Sequence, residues 1–425
     1  MTVPTRRDFM RIVGAGAATL AAGSGTGCDA ASPRDAAIAV LEPSSRGFVV
    51  VAWARLARTA TVEISLAGEP VRSIPLALAE SGSGHVAIGD LAPGVQYDVA
   101  VTTPDGLRLG SHRVRTAPAD DDARPVAIAV LADVDPDPEF DSDLIGHLIA
   151  ASPDLVVSLG DFPYTDNGPE VAQTLEAYRD RHVEIRTLPK VRGLLESCGV
   201  RAIYDDHEFR NDWDAGFVAA ERARYAAAMT VWDEFFPLPD LGGEVRYRSW
   251  RWGKHVECFL LDCRRFRSSR EAADDGTKTM LGAEQLAWLI SGARQSTASF
   301  KLVLTSVPLD FGVGPDHWGG YRRERDALFE GLLGIPGILF VSADQHWFAS
   351  HRHAAGIREL QIGPLARGIG VPPPAAPGVL ARAERYNVGL LEIGDASLTF
   401  AALGAGGERF YEETLTPDQL TPRRE

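Results

Sequence analysis

Six short apolar runs in the last 300 residues of the chain all read as strands buried on both faces, and five of them end at an acidic residue. Val126 to Val130 is followed by Asp133, and Leu155 to Leu159 by Asp161. Ala202-Ile203-Tyr204 runs into Asp205 and Asp206, and Val256 to Leu261 into Asp262. Ile338 to Ser342 leads to Asp344 and His346, whereas Leu302 to Val307 ends at Pro308. Runs of this length bounded by turn residues fit the interior strands of a layered sheet. In α/β sheets, ligand sites gather at the carboxyl ends of strands. Chance accounts for one or two acidic endings, and five point to a site. Helical patterns lie between the runs, within Glu170 to Glu196, over Ala219 to Phe235, and over Gly282 to Gly292. In the second of these, Tyr225, Met229, Trp232 and Phe236 form a core-facing stripe; in the third, Leu286 and Leu289 face inward. Residues 386 to 402 read as two closing strands. The alternation predicts an α/β fold over residues 125–415.

Upstream the pattern is different. Residues 37–118 read as all-β, with strand-like Phe48 to Trp53 and Ala60 to Ser65 punctuated by Gly, Pro and Ser. Leu91-Ala92-Pro93-Gly94-Val95-Gln96-Tyr97-Asp98-Val99 resembles the fibronectin type III segment in which a tyrosine caps a strand corner. A small fibronectin III/Ig-like β-sandwich is therefore expected before the linker Asp120-Asp121-Asp122. It carries no catalytic cluster, and its expected role is to space, cover or dock.

Residues 1–28 read as an export signal. Thr5-Arg6-Arg7-Asp8-Phe9-Met10 is a twin arginine followed by an aromatic residue, and the mild apolar stretch Ile12 to Ala22 is too short to span a membrane. Gly25-Thr26-Gly27-Cys28 resembles a lipoprotein processing site, so Cys28 is the expected lipidation point, with Gly25 where leucine is usual. The mature protein is then expected outside the cytoplasm, periplasmic or at the cell surface, meeting membrane only through a lipid anchor and meeting the twin-arginine export machinery. Cys198, Cys258 and Cys263 have no paired zinc spacing; outside the cytoplasm a disulfide is permitted, with one thiol left over, and Cys258 and Cys263, in one apolar run, are expected as buried thiols. The formal net charge of -15, from 58 acidic and 43 basic residues, argues against a nucleic-acid surface.

The chemistry lies in four clusters. Gly160-Asp161-Phe162-Pro163-Tyr164 turns sharply after a strand; Asp161 could bridge two cations, and Tyr164 could reach the same metal. Tyr204-Asp205-Asp206-His207-Glu208, with Asn211-Asp212, puts adjacent charged groups directly after an apolar strand. Burying them unpaired is costly, and metal binding removes that cost. Asp344-Gln345-His346 offers a carboxylate and an imidazole two residues apart, suited to a hard or borderline cation. Asp133 completes a ring of four strand ends. No Gly-x-Ser-x-Gly elbow is present.

With Leu261-Asp262-Cys263-Arg264-Arg265-Phe266-Arg267, Leu281-Gly282-Ala283-Glu284-Gln285-Leu286-Ala287-Trp288-Leu289 and Ser342-Ala343-Asp344-Gln345-His346, the ordered motifs resemble the alkaline phosphatase D family of the calcineurin-like metallophosphoesterases, over about residues 126 to 395. The resemblance implies a double β-sheet sandwich flanked by helices, and iron with calcium or a related metal set. It points to Asp161, Tyr164, Asp344 and His346 as ligands, with Asp206, His207 and Asn211 touching metal or orienting other groups. One departure matters. Where the family usually has a cysteine at the first strand's end, this chain has Asp133-Val134-Asp135. An all-oxygen-and-nitrogen first site favours manganese, zinc or calcium over iron, and Asp133 is the expected ligand. The implied activity is hydrolysis of phosphate esters, whether monoesters, diesters, lipid headgroups or polymers, by metal-activated water. His207 is expected either to protonate the leaving oxygen, to hold phosphate, or to support other residues. Arg264 either holds a phosphate oxygen or forms a salt bridge; Arg267, Arg322 and Arg367 are weaker candidates. His317, His351 and His353 are expected at the rim. A non-catalytic surface protein that keeps the fold and binds a ligand is the alternative.

Overall fold

The structure is a computed structural model that describes residues 36–135, 143–167, 170–238 and 245–424. The export motif and Cys28 lie outside the described residues. No helix among the described residues is long and apolar enough to cross a membrane.

Two large sheets pack face to face. The first has nine strands, in the order Arg409–Leu415, Leu398–Gly404, Asn387–Ile393, Val126–Leu131, Leu155–Ser158, Val200–Ala202, Ala36–Leu41, Phe48–Ala54 and Ser83–Ile88. The second has seven: Arg248–Trp252, Val256–Leu260, Phe300–Leu304, Ile338–Ser342, Arg358–Gln361, Phe348–Arg352 and Val379–Ala383. The side-chain period of two sorts each strand between layers. Val126, Ile128 and Val130 face the second sheet, where Cys258, Leu260, Leu302, Leu304, Leu339 and Val341 meet them. Ala129 and Leu131 face the opposite way, into a layer with the helices Leu175–Thr187, Pro189–Ser197 and Arg222–Phe235. Phe259, Val303 and Phe340 likewise turn outward, under Gly282–Gln295 and Arg322–Leu332. The result is a helix-sheet-sheet-helix sandwich with apolar interiors on both faces of both sheets, which explains the unbroken hydrophobic runs. The expected stripe on Arg222–Phe235 is present: Met229, Trp232 and Phe236 are buried and Tyr225 packs against them.

Parallel pairing aims the site. Val126–Leu131, Leu155–Ser158 and Val200–Ala202 are mutually parallel neighbours, as are Val256–Leu260, Phe300–Leu304 and Ile338–Ser342. Each triplet therefore ends on one side, and Asp133, Asp161, Asp205, Asp262 and Asp344 follow those ends by two or three residues.

The N-terminal β region comprises the strands Ala36–Leu41, Phe48–Ala54 and Ser83–Ile88 over a four-stranded sheet of Glu69–Ala77, Thr59–Leu66, Gln96–Thr102 and Arg108–Arg115, with its own core. The Tyr97 hydroxyl accepts from the Ala92 backbone N–H at 3.1 Å, closing the corner. Its first sheet is not separate, however. Leu41 pairs in parallel with Val200, so the sheet runs on into the α/β layer. Glu42, just past that pair, takes the guanidinium groups of Arg201 and Arg248, at 2.8 and 2.5 Å.

Candidate metal centre

The loop after Leu155–Ser158 brings Asp161 inward because Gly160 leaves no gap beside Asp205. Gly160 has φ 118°, and a Cβ there would lie 2.5 Å from both the Asp205 Cβ and its backbone nitrogen. Gly363 plays the same part on the other side. With φ 94°, its missing Cβ would lie 2.1 Å from Asp133 Oδ2. The ligand candidates themselves are bent. Asp133, Asp161, Asp212, Asp344 and His346 all have φ between 57° and 73°. Left-handed backbone on non-glycine residues costs free energy, and such residues gather at functional sites.

Four groups of side chains bring ligand atoms within 4.8 Å of one another: Asp133, Asp161 and His346; Asp161, Asp206 and His207; Asp205, Asp206 and Asp344; and Asp206, Asp212 and Asp316. Asp161 belongs to the first two and so stands between them. The last two sit against arginine. Arg264 has no exposed surface and holds Asp205 through two hydrogen bonds of 2.6 and 2.7 Å. It also pairs with Asp316 at 2.8 Å and lies 3.6 Å from both Asp206 and Asp344. Arg267 pairs with Asp316, and Arg270 with Asp212. Arg264 also reaches Asp206, which the second group shares with the last two, whereas Asp133 and Asp161 are in no ion pair with arginine among the described residues.

Both oxygens of Asp133, Oδ2 of Asp161, Oδ1 of Asp206 and Oδ2 of Asp316 are buried without a hydrogen-bond partner, and of these only Asp206 and Asp316 have Arg264 beside them. Buried carboxylate oxygens in native proteins are almost always satisfied. Burial pushes Asp133, Asp161 and Asp344 well above the ordinary carboxylate value, and neighbouring carboxylates add to it, Asp205 first for Asp133 and Asp344. Keeping these groups ionised requires cations, so the residues present fit a metal centre.

The imidazoles are oriented for it. His346 Nδ1 lies 2.7 Å from the Gly368 carbonyl, so Nδ1 carries the proton and Nε2 is the acceptor, here of the Tyr164 hydroxyl at 2.9 Å. Burial pushes the His346 pKa down to about 4, and a neutral imidazole is the ligating form. Tyr164, wholly buried beside Asp161 and Asp133, is held well above the usual phenol value. His207 donates from Nδ1 to Asp166 Oδ1 at 2.6 Å and packs against Tyr164 at a tilt of 32°, with ring centroids 4.1 Å apart. Burial opposes its protonation, but Asp206, Asp161 and Asp166 together raise its pKa well above the ordinary histidine value.

Several sequence expectations land elsewhere. Of the two roles expected for Arg264, holding a phosphate oxygen or forming a salt bridge, it takes the ion pair: with no exposed surface and its donors on Asp205 and Asp316, it neutralises the carboxylate ring. Asn211 contributes its backbone N–H to Asp166 Oδ2 at 2.5 Å, beside His207. Asp262 caps its own turn, accepting from Tyr204 and from the Arg264 and Arg265 backbones at 2.6, 3.1 and 2.9 Å. Glu208 ties two loops together by accepting from the Phe162 and Asp205 backbones at 2.8 and 2.9 Å; burial pushes its pKa up to about 8. Arg367 lies over the Tyr164 ring at 4.7 Å and pairs with Asp135. His317 caps the Trp318–Gly320 turn, while His351 stacks on His353, whose Nε2 meets Glu359 at 2.6 Å. Asp316 and Asp166 escaped the sequence reading. Asp166 had a usable signal, lying two residues after Tyr164 in the same motif; Asp316 had none, because no strand precedes it.

A two-sheet sandwich with carboxylates and imidazoles gathered at its strand ends is the fold of the calcineurin-like metallophosphoesterases. The family model for "PhoD-like phosphatase" matches residues 142–368, more than half of the chain, and takes in Asp161 through His346. The chain belongs to the PhoD-like phosphatase family. It is 27% identical over 257 residues to alkaline phosphatase D of Bacillus subtilis (strain 168), a match covering 49% of this chain and 44% of that protein. The matched region is thus less than half the length of that relative. A solved structure of PhoD superposes with a TM-score of 0.78 at 18% identity, covering 94% of this chain and 92% of the other. Purple acid phosphatase PPD1 from yellow lupin seeds superposes with a TM-score of 0.66 at 11% identity, covering 92% and 77%. At these identities the two structures speak for the fold.

Proposed function

We propose that the chain is an exported hydrolase of phosphoric esters that depends on two or more bound metal ions. The observation that carries this reading is the set of buried oxygens without a hydrogen-bond partner on Asp133, Asp161 and Asp206, in two groups joined through Asp161. Asp133, Asp161 and His346 would hold one ion, and Asp161 and Asp206 the other, with Tyr164 in reach of the first through its contact with His346. Iron with calcium follows from the family resemblance; the carboxylate at Asp133 in place of a thiolate favours manganese, zinc or calcium for the first position.

Cations held there would offset the charge of a phosphoryl group and lower the pKa of attacking water. The chain's own residues supply the rest. Asp166 fixes the His207 ring through Nδ1, leaving Nε2–H as the donor for a departing oxygen. Gly368 fixes the His346 tautomer. Arg264 keeps Asp205, Asp206 and Asp344 from repelling one another when the centre is loaded. Hydrolysis of p-nitrophenyl phosphate and bis-p-nitrophenyl phosphate, with and without chelator, tests the reading. Chelator-sensitive turnover that Asp161→Ala abolishes is expected. Full metal loading with no turnover of either ester would replace it with a non-catalytic ligand-binding role on the same fold.

Export through the twin-arginine route, with lipid attached to Cys28, is proposed on Arg6-Arg7 and the Gly25-Thr26-Gly27-Cys28 sequence. Fatty-acid labelling of the wild type that Cys28→Ala removes would support the lipid anchor, and an unlabelled wild type would refute it. The β region 37–118 contributes no residue to the four groups, and its proposed part is to brace or dock.

A further inference from the structure

Nine large apolar side chains among the described residues are more than a third exposed, and three of them, Val313, Ile369 and Val371, lie on two loops bonded to the Asp344-Gln345-His346 strand end. Ile369 is the middle of a short span held at both ends by the ligand candidate His346. The Gly368 carbonyl accepts from His346 Nδ1 at 2.7 Å, and the Gly370 N–H donates to the His346 carbonyl at 2.9 Å. The Val313 N–H donates to Gln345 Oε1 at 2.7 Å, and the Gln345 amide in turn donates to Asp344 Oδ2 at 2.5 Å. In sequence the two loops share one pattern, Gly312-Val313-Gly314 and Gly368-Ile369-Gly370, an aliphatic residue between glycines. The polar backbone of both loops is turned to the metal centre's edge, while Val313, Ile369 and Val371 are 57%, 42% and 74% exposed.

Isolated exposed aliphatics need no explanation, but a group of them beside a site marks a binding surface. Here both loops flank Gln345, since a Cβ on Gly312 would lie 3.3 Å from its side chain and one on Gly370 2.6 Å from its carbonyl; the strand end they flank belongs to the centre proposed for a phosphoryl group, so an occupant spanning both has an anionic head and an apolar tail. Resting on the phosphoesterase reading, we propose that Val313, Ile369 and Val371 form the subsite for the apolar substituent of the substrate, selecting phosphate esters with an alkyl or aryl group of several carbons over small polar ones.

The test is direct binding of methyl-, butyl- and hexylphosphonate to the metal-loaded protein, followed by calorimetry. These ligands share the head group and are not hydrolysed, so the result does not depend on turnover. Affinity is expected to rise about tenfold from methyl to hexyl, less than full burial of the added methylenes would give, because the rim stays partly open. Ile369→Ser and Val371→Ser should each lower the hexyl-to-methyl affinity ratio about threefold. Leu56→Ser, at an 87% exposed aliphatic of the N-terminal β region, should leave that ratio unchanged. A flat wild-type series, or a ratio that the two rim variants do not move, overturns the subsite and leaves the phosphate reading standing. Failure of all three phosphonates to bind the loaded protein overturns both. A protein that sediments as a dimer, and as a monomer after Val371→Ser, would assign the rim to a second copy and also overturn the subsite.

Discussion

Arg264 and Asp205 face each other through two parallel hydrogen bonds of 2.6 and 2.7 Å, where the guanidinium has no exposed surface and Ser306 Oγ supplies Asp205 with a third at 2.5 Å. The pair draws in Asp316, Asp206 and Asp344, so one cation serves four carboxylates. Removing one partner of a buried ion pair leaves uncompensated charge and costs about 3–5 kcal/mol. Arg264→Leu is therefore expected to lower the stability of the metal-loaded protein by about that amount in urea unfolding. Arg264→Lys should recover only part of it, because an ammonium cannot reproduce the two-pronged contact with Asp205. A wild-type midpoint for Arg264→Leu would show that the ring needs no internal cation.

The bridging assignment of Asp161 can be separated from general acidity by counting ions. Asp161 is common to two groups and is in no ion pair with arginine among the described residues, whereas Asp316 is paired with Arg264 and Arg267. Asp161→Asn should lose ions from both positions in elemental analysis after dialysis. Asp316→Asn should keep the wild-type metal-to-protein ratio. Equal losses in the two variants would remove the distinction.

Gly363 predicts a loss of affinity without loss of any ligand. A methyl group at that position would overlap Asp133 Oδ2 and would sit on backbone with φ 94°. Either Asp133 or the Gly363 loop must move. Supporting groups of this kind usually change metal affinity 10- to 100-fold. Gly363→Ala is expected to weaken the tightest metal-binding step by about tenfold or more in a competition titration with a chelator. An unchanged titration would mean that Asp133 is not a ligand.

These outcomes also show which parts of the molecule the chain announces locally. Asp133, Asp161, Asp206, Asp344 and His346 were legible because each follows an apolar strand within a few residues, and parallel pairing carries strand ends to one side. Direction was not legible. Arg264 stands two residues after a strand-end carboxylate, which suggested a place facing substrate, but its side chain turns inward because Asp205 and Asp316 arrive from 59 and 52 residues away. Asp316 had no strand to mark it. The pairing of Leu41 with Val200 joins segments whose own patterns read as two separate units, and nothing in either run specifies the other as its edge.

The thiols give a test that needs no metal. Cys198, Cys258 and Cys263 are free and buried. Burial pushes the first and third up to about 11, and Cys258 higher still. Only the thiolate reacts with alkylating agents. At pH 8 in native buffer, iodoacetamide should leave all three unmodified by mass spectrometry over hours, and should label all three in guanidinium. Rapid native labelling of Cys263 would contradict its packing beside Thr305.

His112 links acid stability to the contact between the β region and the α/β layer. It lies on the strand Arg108–Arg115, and its Nε2 donates to the Cys198 carbonyl at 2.9 Å, at the end of the helix Pro189–Ser197. Burial lowers its pKa from 6.5 to about 4. Above pH 6.5 the ring is neutral in both folded and unfolded chains and adds no pH dependence. Between pH 6.5 and 4 the unfolded chain takes up a proton that the folded one refuses, so stability falls as pH falls through that window. The full effect approaches about 3 kcal/mol. His112→Gln keeps an N–H for the Cys198 carbonyl and removes the titration. Other buried groups, His182 and the carboxylate ring among them, titrate in both proteins and cancel in the difference. The stability gap between wild type and His112→Gln, from urea unfolding at pH 7.5 and pH 4.5, should therefore move in favour of the variant by about 2–3 kcal/mol as the pH falls. A gap independent of pH would mean that His112 is protonated in the fold or reached by water, and that this contact is not where the protein feels acid.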